Sequence, residues 1–331
     1  MKKDTGSEGG FRWITVLRSV RMAEIHTTMR EVVVRVHLEL LEDIERNLPG
    51  VLADWDSEFL HDMRVAVRRT RSGLNLAKKV LPDDVTERFS TVFRFLGSVT
   101  GPTRDLDVYL LRRKAYVKRL VPPLQAGLSL FFADLEDRRR AEHERMVEIL
   151  GAAAIGKELD AWRRILQNSD AESASRADQP AVDRAGRIIS RHLRQVLSRG
   201  RTMHAETADA EVHRLRIQCK KLRYAIEFFR GLYPEQEVRF LLRHLKKLQD
   251  VLGDFNDLTV QQEMLRDTLR QLSGGDPGHL EQAASLGALM QSLAEEQQEL
   301  RSHCIEAFSQ FDDNAVTGRF AALFQTEEHH S

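Results

Sequence analysis

The chain has 331 residues, 42% of them hydrophobic, which is enough for one large or two medium-sized globular domains. Its 50 lysines and arginines are balanced by 50 aspartates and glutamates. Because the net charge is zero, the composition argues against a protein that coats nucleic acid non-specifically, and any strongly positive region must be local.

The sequence contains no targeting or membrane-spanning signal. No apolar run approaches the roughly 20 residues that cross a bilayer, and the N-terminal sequence MKKDTGSEGG lacks the apolar stretch of a signal peptide. The two cysteines, Cys219 and Cys304, form no metal-binding pattern. We expect Cys219 to be a small buried residue in a soluble cytoplasmic protein.

Apolar periodicity predicts helices in the first half of the chain, residues 13–167. A long amphipathic helix from Trp13 to Leu48 is expected to stop at Pro49 and Gly50. Ser57 is predicted to cap the next helix, which should end near Leu81 and Pro82. Further helices are predicted at about 83–99, from about 104, at about 124–150, and from there to about 166.

The polar segment 168–179 is the predicted linker to a second half, residues 180–312. Helices are predicted there at about 182–200, from 210, and at about 280–311, with breaks at Pro234, Gly253 and residues 273–278. Residues 1–12 and 313–331 are predicted to be a disordered N-terminus and a C-terminal tail. No segment alternates as a strand would, so we expect an all-α protein of two antiparallel helical bundles, packed side by side.

One basic helix is present twice. HDMRVAVRRTR, which begins at His61, is repeated as HRLRIQCKKLR from His213, a shift of 152 residues. The same shift aligns further pairs: Arg64 with Arg216, Arg68 with Lys220, Arg69 with Lys221, Arg71 with Arg223, Gly101 with Gly253, and Asp105 with Asp257. Internal repetition at a fixed shift indicates two copies of one structural unit.

Each copy carries cations along one helical face. Positions 61, 64, 68 and 71 fall within about 80° of each other and span about 15 Å, as do 213, 216, 220 and 223. From His213 to Arg223 there are five lysines or arginines and no acid, so the cations repel one another. An anionic ligand could supply the missing charge. The structural alternative is that acids from neighbouring helices pair with both faces.

These motifs resemble those of the CHAD family, the conserved histidine α-helical domain. The resemblance covers about residues 15–310 and is carried by HDMRV at His61, RDLDV at Arg104, HRLRIQCKKLRY at His213 and LKKLQDVLGDFNDL at Leu245. It implies two four-helix bundles related by a pseudo-two-fold axis. It also implies binding of inorganic polyphosphate by basic residues around a central cavity, and association with polyphosphate granules or polyphosphate-processing enzymes.

By position, the resemblance implies that the following residues bind polyphosphate: His61, Arg64, Arg68, Arg69, Arg71, His213, Arg216, Lys220, Lys221 and Arg223. Four further cations could extend this set, namely the matched pair Lys78 and Arg230, and Lys246 with Lys247. Arginine suits phosphate because its planar guanidinium binds two oxygens at once. Three acids are predicted to be structural, either at helix N-termini or orienting an arginine: Asp105, Asp107 and Asp257.

Capture of a polyanion through many modest contacts needs no nucleophile, metal or cofactor, so we expect a binding protein and not an enzyme. The Glu-x-Glu-x-Lys motif that opens the catalytic CYTH domain of some relatives is absent, which predicts a stand-alone CHAD protein. One rival hypothesis is a metal-dependent phosphohydrolase, since His61–Asp62 resembles the pair of HD enzymes, although the second copy has Arg214 in place of Asp62.

A nucleic-acid-binding protein and a scaffold without a ligand are two further hypotheses. Few aromatic residues near the basic faces could stack on bases, namely Tyr224 and Phe228–Phe229. Some histidines outside the repeat lie on basic helices and could reach the cavity, although a surface or core-edge position is favoured for each: His26, His37, His192 and His244.

Overall fold

The computed structural model describes residues 27–168, 175–272 and 277–324, and within these ranges the protein is all-α, as predicted. The helices are α1 (Met29–Leu52), α2 (Ser57–Leu76), α3 (Asp83–Val99), α4 (Gly101–Leu111), α5 (Arg113–Arg119), α6 (Gln125–Gly151), α7 (Ala153–Gln167), α8 (Ala181–Gly200), α9 (Asp209–Phe229), α10 (Glu235–Gln271), α11 (Pro277–Phe311) and α12 (Asn314–Phe324). The predicted disordered N-terminus, the start of the first predicted helix and half of the predicted linker, residues 169–174, lie outside the described residues. No described helix is long and apolar enough to cross a membrane.

The end of α1 and the start of α2 differ from the prediction for local reasons. Pro49 does not stop α1, which includes it in the last turn and ends at Leu52. A proline there removes only one hydrogen bond near the helix end. Gly50 serves packing instead, because a Cβ atom on it would lie 2.4 Å from the Phe59 ring. The cap of α2 is Asp56, whose carboxylate accepts a hydrogen bond from the backbone N–H of residue 58 at 2.9 Å.

The predicted break at Gly253 is wrong, because α10 is one continuous helix of 37 residues that includes Gly253. The matched stretch of the first half, residues 83–119, is divided into α3, α4 and α5, with Pro102 in the first turn of α4. Proline has no N–H group and favours the start of a helix, whereas the matched residue Asp254 can continue one. The proline therefore accounts for the break between α3 and α4, which has no counterpart in α10.

The hydrophobic core joins the two halves of the chain. Its larger cluster includes Phe93 and Trp162 of the first half together with Leu241 and Phe320 of the second. A smaller cluster is formed by α4, α5 and α6 with α10 and α11. Because neither cluster is confined to one half, the division into two bundles, one for each half, stays a prediction.

Part of the predicted C-terminal tail is structured. Residues 314–324 form α12, which packs against α8 and α10. Its residues Val316, Phe320 and Phe324 are buried, and the Phe324 ring lies 4.8 Å from that of Tyr233. The apolar spacing of these three side chains, four residues apart, buries one face of the helix.

The two repeated helices, α2 and α9, contact each other. A Cβ atom on Gly73 would lie 2.7 Å from Cε2 of Phe228 and 2.8 Å from Nε2 of His37. Glycine at this position therefore permits the close approach of α2 to α9. Since α2 also packs on α1 and α3, and α9 on α8 and α10, the two basic faces are held by separate sets of neighbours.

Candidate anion-binding site

Each repeated histidine is bonded through Nδ1 to a residue 43 positions further along the chain. Arg104 donates to Nδ1 of His61 at 3.0 Å, and Nδ1 of His213 donates to Oδ1 of Asn256. Arg104 and Asn256 are themselves related by the shift of 152 residues. The same contact is therefore present in both copies, with a cationic partner in the first and a neutral one in the second.

The surroundings of His61 favour its neutral form. Nδ1 accepts the hydrogen bond from Arg104, so the ring proton is on Nε2. Burial lowers the pKa of His61, and the charges of Arg104 and Arg68 lower it further against the opposing effect of Glu58 and Asp62. The Nε2–H group remains a hydrogen-bond donor for an anion.

Arg64 is held in place by neutral acceptors. It donates from Nη1 to the carbonyl oxygen of Gly97 and to Oγ1 of Thr100, both at 2.9 Å. Burial lowers the pKa of Arg64, while Asp105 opposes that change. Thr100 lies at the break between α3 and α4, so the interruption of that helix supplies an anchor for the arginine.

The matched arginine of the second half has an acidic partner. Arg216 Nη2 lies 3.7 Å from Oδ1 of Asp257, whose other oxygen accepts a hydrogen bond from Arg112 at 3.1 Å. Asp257 therefore lies between one cation from each half. Burial raises the pKa of its counterpart Asp105, against the effect of Arg64 and Arg104. The orienting role of the two acids stays a prediction.

Asp107 has a different environment. It is buried, and its Oδ1 accepts a hydrogen bond from Nε of Arg139 at 2.9 Å. Arg139 also pairs with Asp54 in the turn between α1 and α2. This ion pair joins α4 and α6 to that turn and belongs to the framework of the fold.

Side chains of α2 and α9 meet across the boundary between the halves. Arg69 Nη2 lies 3.1 Å from Glu227 Oε2, and Arg223 Nε donates to Glu227 Oε1 at 2.7 Å. The guanidinium carbon of Arg68 lies 5.9 Å from the centroid of the Tyr224 ring, a cation–π contact. Arg69 and Arg223 are therefore paired with an acid, as the structural alternative predicts for the cations of the basic faces.

Other cations of the two faces converge without such partners. Burial and the charges of Arg216, Arg68 and Arg223 together lower the pKa of Lys220 to about 8, against the effect of Asp257. Arg68 belongs to the first half, and its charge acts on Lys220 while its guanidinium lies over the Tyr224 ring of α9, so cations of the two faces lie near one another. Among the described residues, the cations of the two faces that form ion pairs are Arg69, Arg216 and Arg223. Five others form none there: Arg64, Arg68, Arg71, Lys220 and Lys221.

The remaining predicted binding residues are more peripheral. Arg71 is exposed, and its Nη1 lies 3.2 Å from the position of a Cβ atom on Gly97, beside the anchor of Arg64. Lys221 is exposed on the side of α9 that faces α8, where it lowers the pKa of His192. Lys78 and Arg230 are exposed beyond the C-terminal ends of α2 and α9.

The structure separates the two extra lysines from each other. Lys246 is exposed and paired with Asp250 at 2.6 Å. Lys247 lines a surface pocket with Phe240 and His244, against residues at the ends of α11 and α12. Lys247 and His244 therefore lie on another side of α10 from Asn256 and Asp257. His26 lies outside the described residues.

His37 belongs to the core and not to the site. It is fully buried, and burial lowers its pKa to about 4. Its Nδ1 donates to the carbonyl oxygen of Val33 at 2.8 Å, and its ring packs edge-on against Trp162 and Phe228. This histidine is an uncharged packing residue beneath the contact of α2 with α9.

No group of three histidine, cysteine, aspartate or glutamate residues in the described part of the chain could hold a metal ion. The His61–Asp62 pair also lies in positive surroundings. Arg104 is bonded to the imidazole of His61, and the charge of Arg68 acts on the same ring. A divalent cation would be repelled by both.

The protein is an all-α protein in which two repeated basic helices contact each other. The comparisons with known proteins identify its family. The model of the CHAD domain matches residues 35–266, and the chain belongs to the CHAD domain family. The crystal structure of the CHAD domain from the plant Ricinus communis is similar over 86% of this chain and 93% of that one, with 27% identity and a TM-score of 0.67.

A second solved structure, PptA from Streptomyces chartreusis, is similar in fold, with 16% identity and a TM-score of 0.62. The similarity covers 86% of this chain and 99% of that chain. The comparison with curated proteins finds no match.

Sequence reasoning missed three residues that shape the site. Arg104 and Asn256 bind the repeated histidines, and the shift of 152 residues relates them, so the repeat contained a signal for both. Glu227 accepts from Arg223 one turn earlier on the same helix, which was visible as spacing. Its contact with Arg69 had no signal, because the matched residue in the first half is Asn75.

Proposed function

We propose that the protein binds inorganic polyphosphate between α2 and α9 and does not hydrolyse it. The observation that supports this most is the convergence of the exposed Arg68 and the half-buried Lys220, cations from opposite halves. Neither has a carboxylate partner among the described residues. Bringing such charges together is unfavourable in the free protein, and a polyanion placed between them would reverse that effect.

The chemistry of the surrounding groups fits a chain of phosphates. Arg68 and Arg71 are exposed guanidinium groups that can each bind two phosphate oxygens. His61 adds a neutral N–H donor, which contributes a hydrogen bond without adding to the repulsion between cations. Arg64 is already oriented by Gly97 and Thr100, so less side-chain entropy is lost when an anion binds beside it.

The rival functions are less compatible with these contacts. Phe228 and Phe229 are buried and cannot stack on bases, and Tyr224 is covered by Arg68. Single-stranded nucleic acid would therefore lack aromatic platforms at this site. Metal-dependent hydrolysis at His61 would need a cation to bind beside Arg104. Association with polyphosphate granules and with enzymes that process polyphosphate is part of the same proposal.

The test is a titration of the purified protein with long-chain polyphosphate, triphosphate, ATP and double-stranded DNA at one salt concentration. We expect long-chain polyphosphate to bind far more tightly than triphosphate or ATP, because only a long chain reaches the cations of both halves. Its affinity should fall steeply as salt rises, since binding releases counterions. Equal or tighter binding of DNA would overturn the proposal.

Incubation with polyphosphate and Mg²⁺ or Mn²⁺, followed by sizing on a gel, tests the non-catalytic part of the proposal. We expect the chain length to be unchanged. Shortening by the wild-type protein that is lost in His61→Ala and Asp62→Ala variants would establish the hydrolase hypothesis instead.

A further inference from the structure

A third basic face lies on α8, outside the residues assigned to the site. Arg184, Arg187, Arg191 and Arg194 are spaced three, four and three residues apart, the same spacing as the cationic faces of α2 and α9. They therefore lie within about 80° of one side of the helix and extend over about 15 Å. We call these four residues the α8 stripe.

The α8 stripe is free of acidic partners in the part of the chain that the structure describes. Arg187, Arg191 and Arg194 are exposed, while Arg184 is half-buried and its buried Nε has no hydrogen-bond partner. Burial lowers the pKa of Arg184, and the neighbouring charges of Arg176, Arg187 and Arg191 lower it further. The arginines of this face are thus close enough to repel one another.

The α8 stripe is connected to the central site at two points. At one end, Arg184 Nη2 donates to the carbonyl oxygen of Lys78 at 3.4 Å, just beyond the end of α2. Further along, the charges of Arg191 on α8 and Lys221 on α9 both lower the pKa of His192. Lys221 follows Lys220 on α9, so the positive surface continues from the central site onto α8.

The matched helix of the first half, α1, carries no such stripe. The positions of α1 that match the α8 stripe are Val32, Arg35, Glu39 and Glu42. One of these four is a cation and two are acids, so this face has mixed charge, as a solvated helix usually does. Positive surface therefore extends from the central site on the side of the second half.

We propose that the α8 stripe binds the part of a long polyphosphate chain that extends beyond the central site. This inference rests on the proposed function. The apolar side of α8, with Ile188, Ile189 and Val196, is buried in the core, so the helix has no apolar face to insert into a membrane surface. A chain of phosphates matches a row of arginines, because both repeat their charge along a line.

The test compares two triple variants of the full chain with the wild type. One is Arg187→Ala, Arg191→Ala, Arg194→Ala, which keeps the half-buried Arg184. The control is Arg140→Ala, Arg145→Ala, Arg270→Ala, which removes the same charge from exposed arginines that each pair with an acid three residues away. Alanine favours helix, so both variants should fold, which circular dichroism checks.

Each protein is titrated with short-chain and with long-chain polyphosphate over a range of salt concentrations. We expect the α8 variant to bind the long chain roughly tenfold more weakly than the control variant does, since three exposed ionic contacts are lost. Its salt dependence should be shallower, by a slope of about 2 to 3. Binding of the short chain, which the central site holds, should be the same in both variants.

Equal long-chain affinity in the two variants would overturn the inference and leave the proposed function intact, provided that the wild type binds. The inference also fails if the α8 variant loses short-chain and long-chain affinity to the same extent, since the stripe would then act on the central site. A wild-type protein that binds neither chain would overturn the proposed function, and the inference with it.

Discussion

The two halves of this protein repeat the positions of their cations but not the partners of those cations. In the first half, Arg104 binds His61, and neutral oxygens hold Arg64. In the second half, Asn256 binds His213, and the corresponding arginine lies near a carboxylate. The repeat therefore preserves geometry, while the charge around it differs.

The cations of the two basic faces fall into two groups, those that pair with an acid and those that do not. Arg69 pairs with Glu227 of α9 and so joins α2 to α9 across the boundary between the halves, while Arg223 pairs with the same carboxylate within α9. Arg68 and Lys220 form no ion pair among the described residues, and the charge of Arg68 helps to lower the pKa of Lys220 against the effect of Asp257. Spacing alone does not distinguish these two groups, because all four follow the same repeat.

The largest expected effect comes from removing an unpaired cation from either half. Arg68→Ala and Lys220→Ala should each weaken long-chain polyphosphate binding by about 1 to 3 kcal/mol, the usual magnitude for a charge-assisted hydrogen bond. Titration of the two variants at one salt concentration measures the change. If Arg68→Ala abolishes binding and Lys220→Ala leaves it unchanged in a folded protein, the site belongs to one half.

Arg69→Ala and Arg223→Ala are the matched controls for that comparison. Each should lower the affinity less, because Glu227 already neutralises part of the charge. Equal losses in all four variants would show that the pairing with Glu227 does not separate the two groups.

A change of pH should have a smaller effect on the affinity for polyphosphate, and Lys220 in the second half should cause it. Because the pKa of Lys220 is lowered to about 8, the free protein loses this charge as pH rises through that value. Affinity for polyphosphate should therefore decrease between about pH 7 and 9, and binding at pH 8 should take up protons. In Lys220→Arg, the guanidinium stays charged, so a decrease of the same size there would exclude Lys220 as its cause.

The same shift predicts how the stability of the free protein depends on pH. The ordinary pKa of lysine is 10.5, so between about pH 8 and 10.5 the unfolded chain binds the proton that the folded protein has lost. The contribution of Lys220 to the free energy of unfolding therefore increases as pH rises through this window. Denaturant unfolding of the wild type and Lys220→Met, compared at pH 7 and pH 9.5, measures this contribution.

The smallest effect concerns the two histidines. Arg104→Asn gives the first half the residue that the second half has at this position, and it removes a cation bonded to His61. The pKa of His61 should rise, since Arg104 is one of the groups that lower it. An NMR titration of the ring measures the shift, with Arg94→Asn on the exposed face of α3 as the control. An unchanged pKa would leave burial as its cause.

The sequence by itself determined the all-α class, most helix positions and the repeat. These features follow from apolar spacing and from local rules for helix ends, which act over a few residues. The cationic faces were visible for the same reason, because residues three and four positions apart share a side of any helix. Local rules failed at Gly253, where the absence of a proline lets α10 continue, and at residues 314–324.

Only the tertiary structure decided which cations are paired and which converge. Glu227 reaches Arg69, and Asp257 reaches Arg112, across large separations in the sequence. The tertiary structure also places His37 in the core, and it places Lys247 on another side of α10 from Asn256 and Asp257. The physical reason is that an ion pair between helices depends on how those helices pack. That packing is set by a core built from both halves, and no short stretch of sequence contains it.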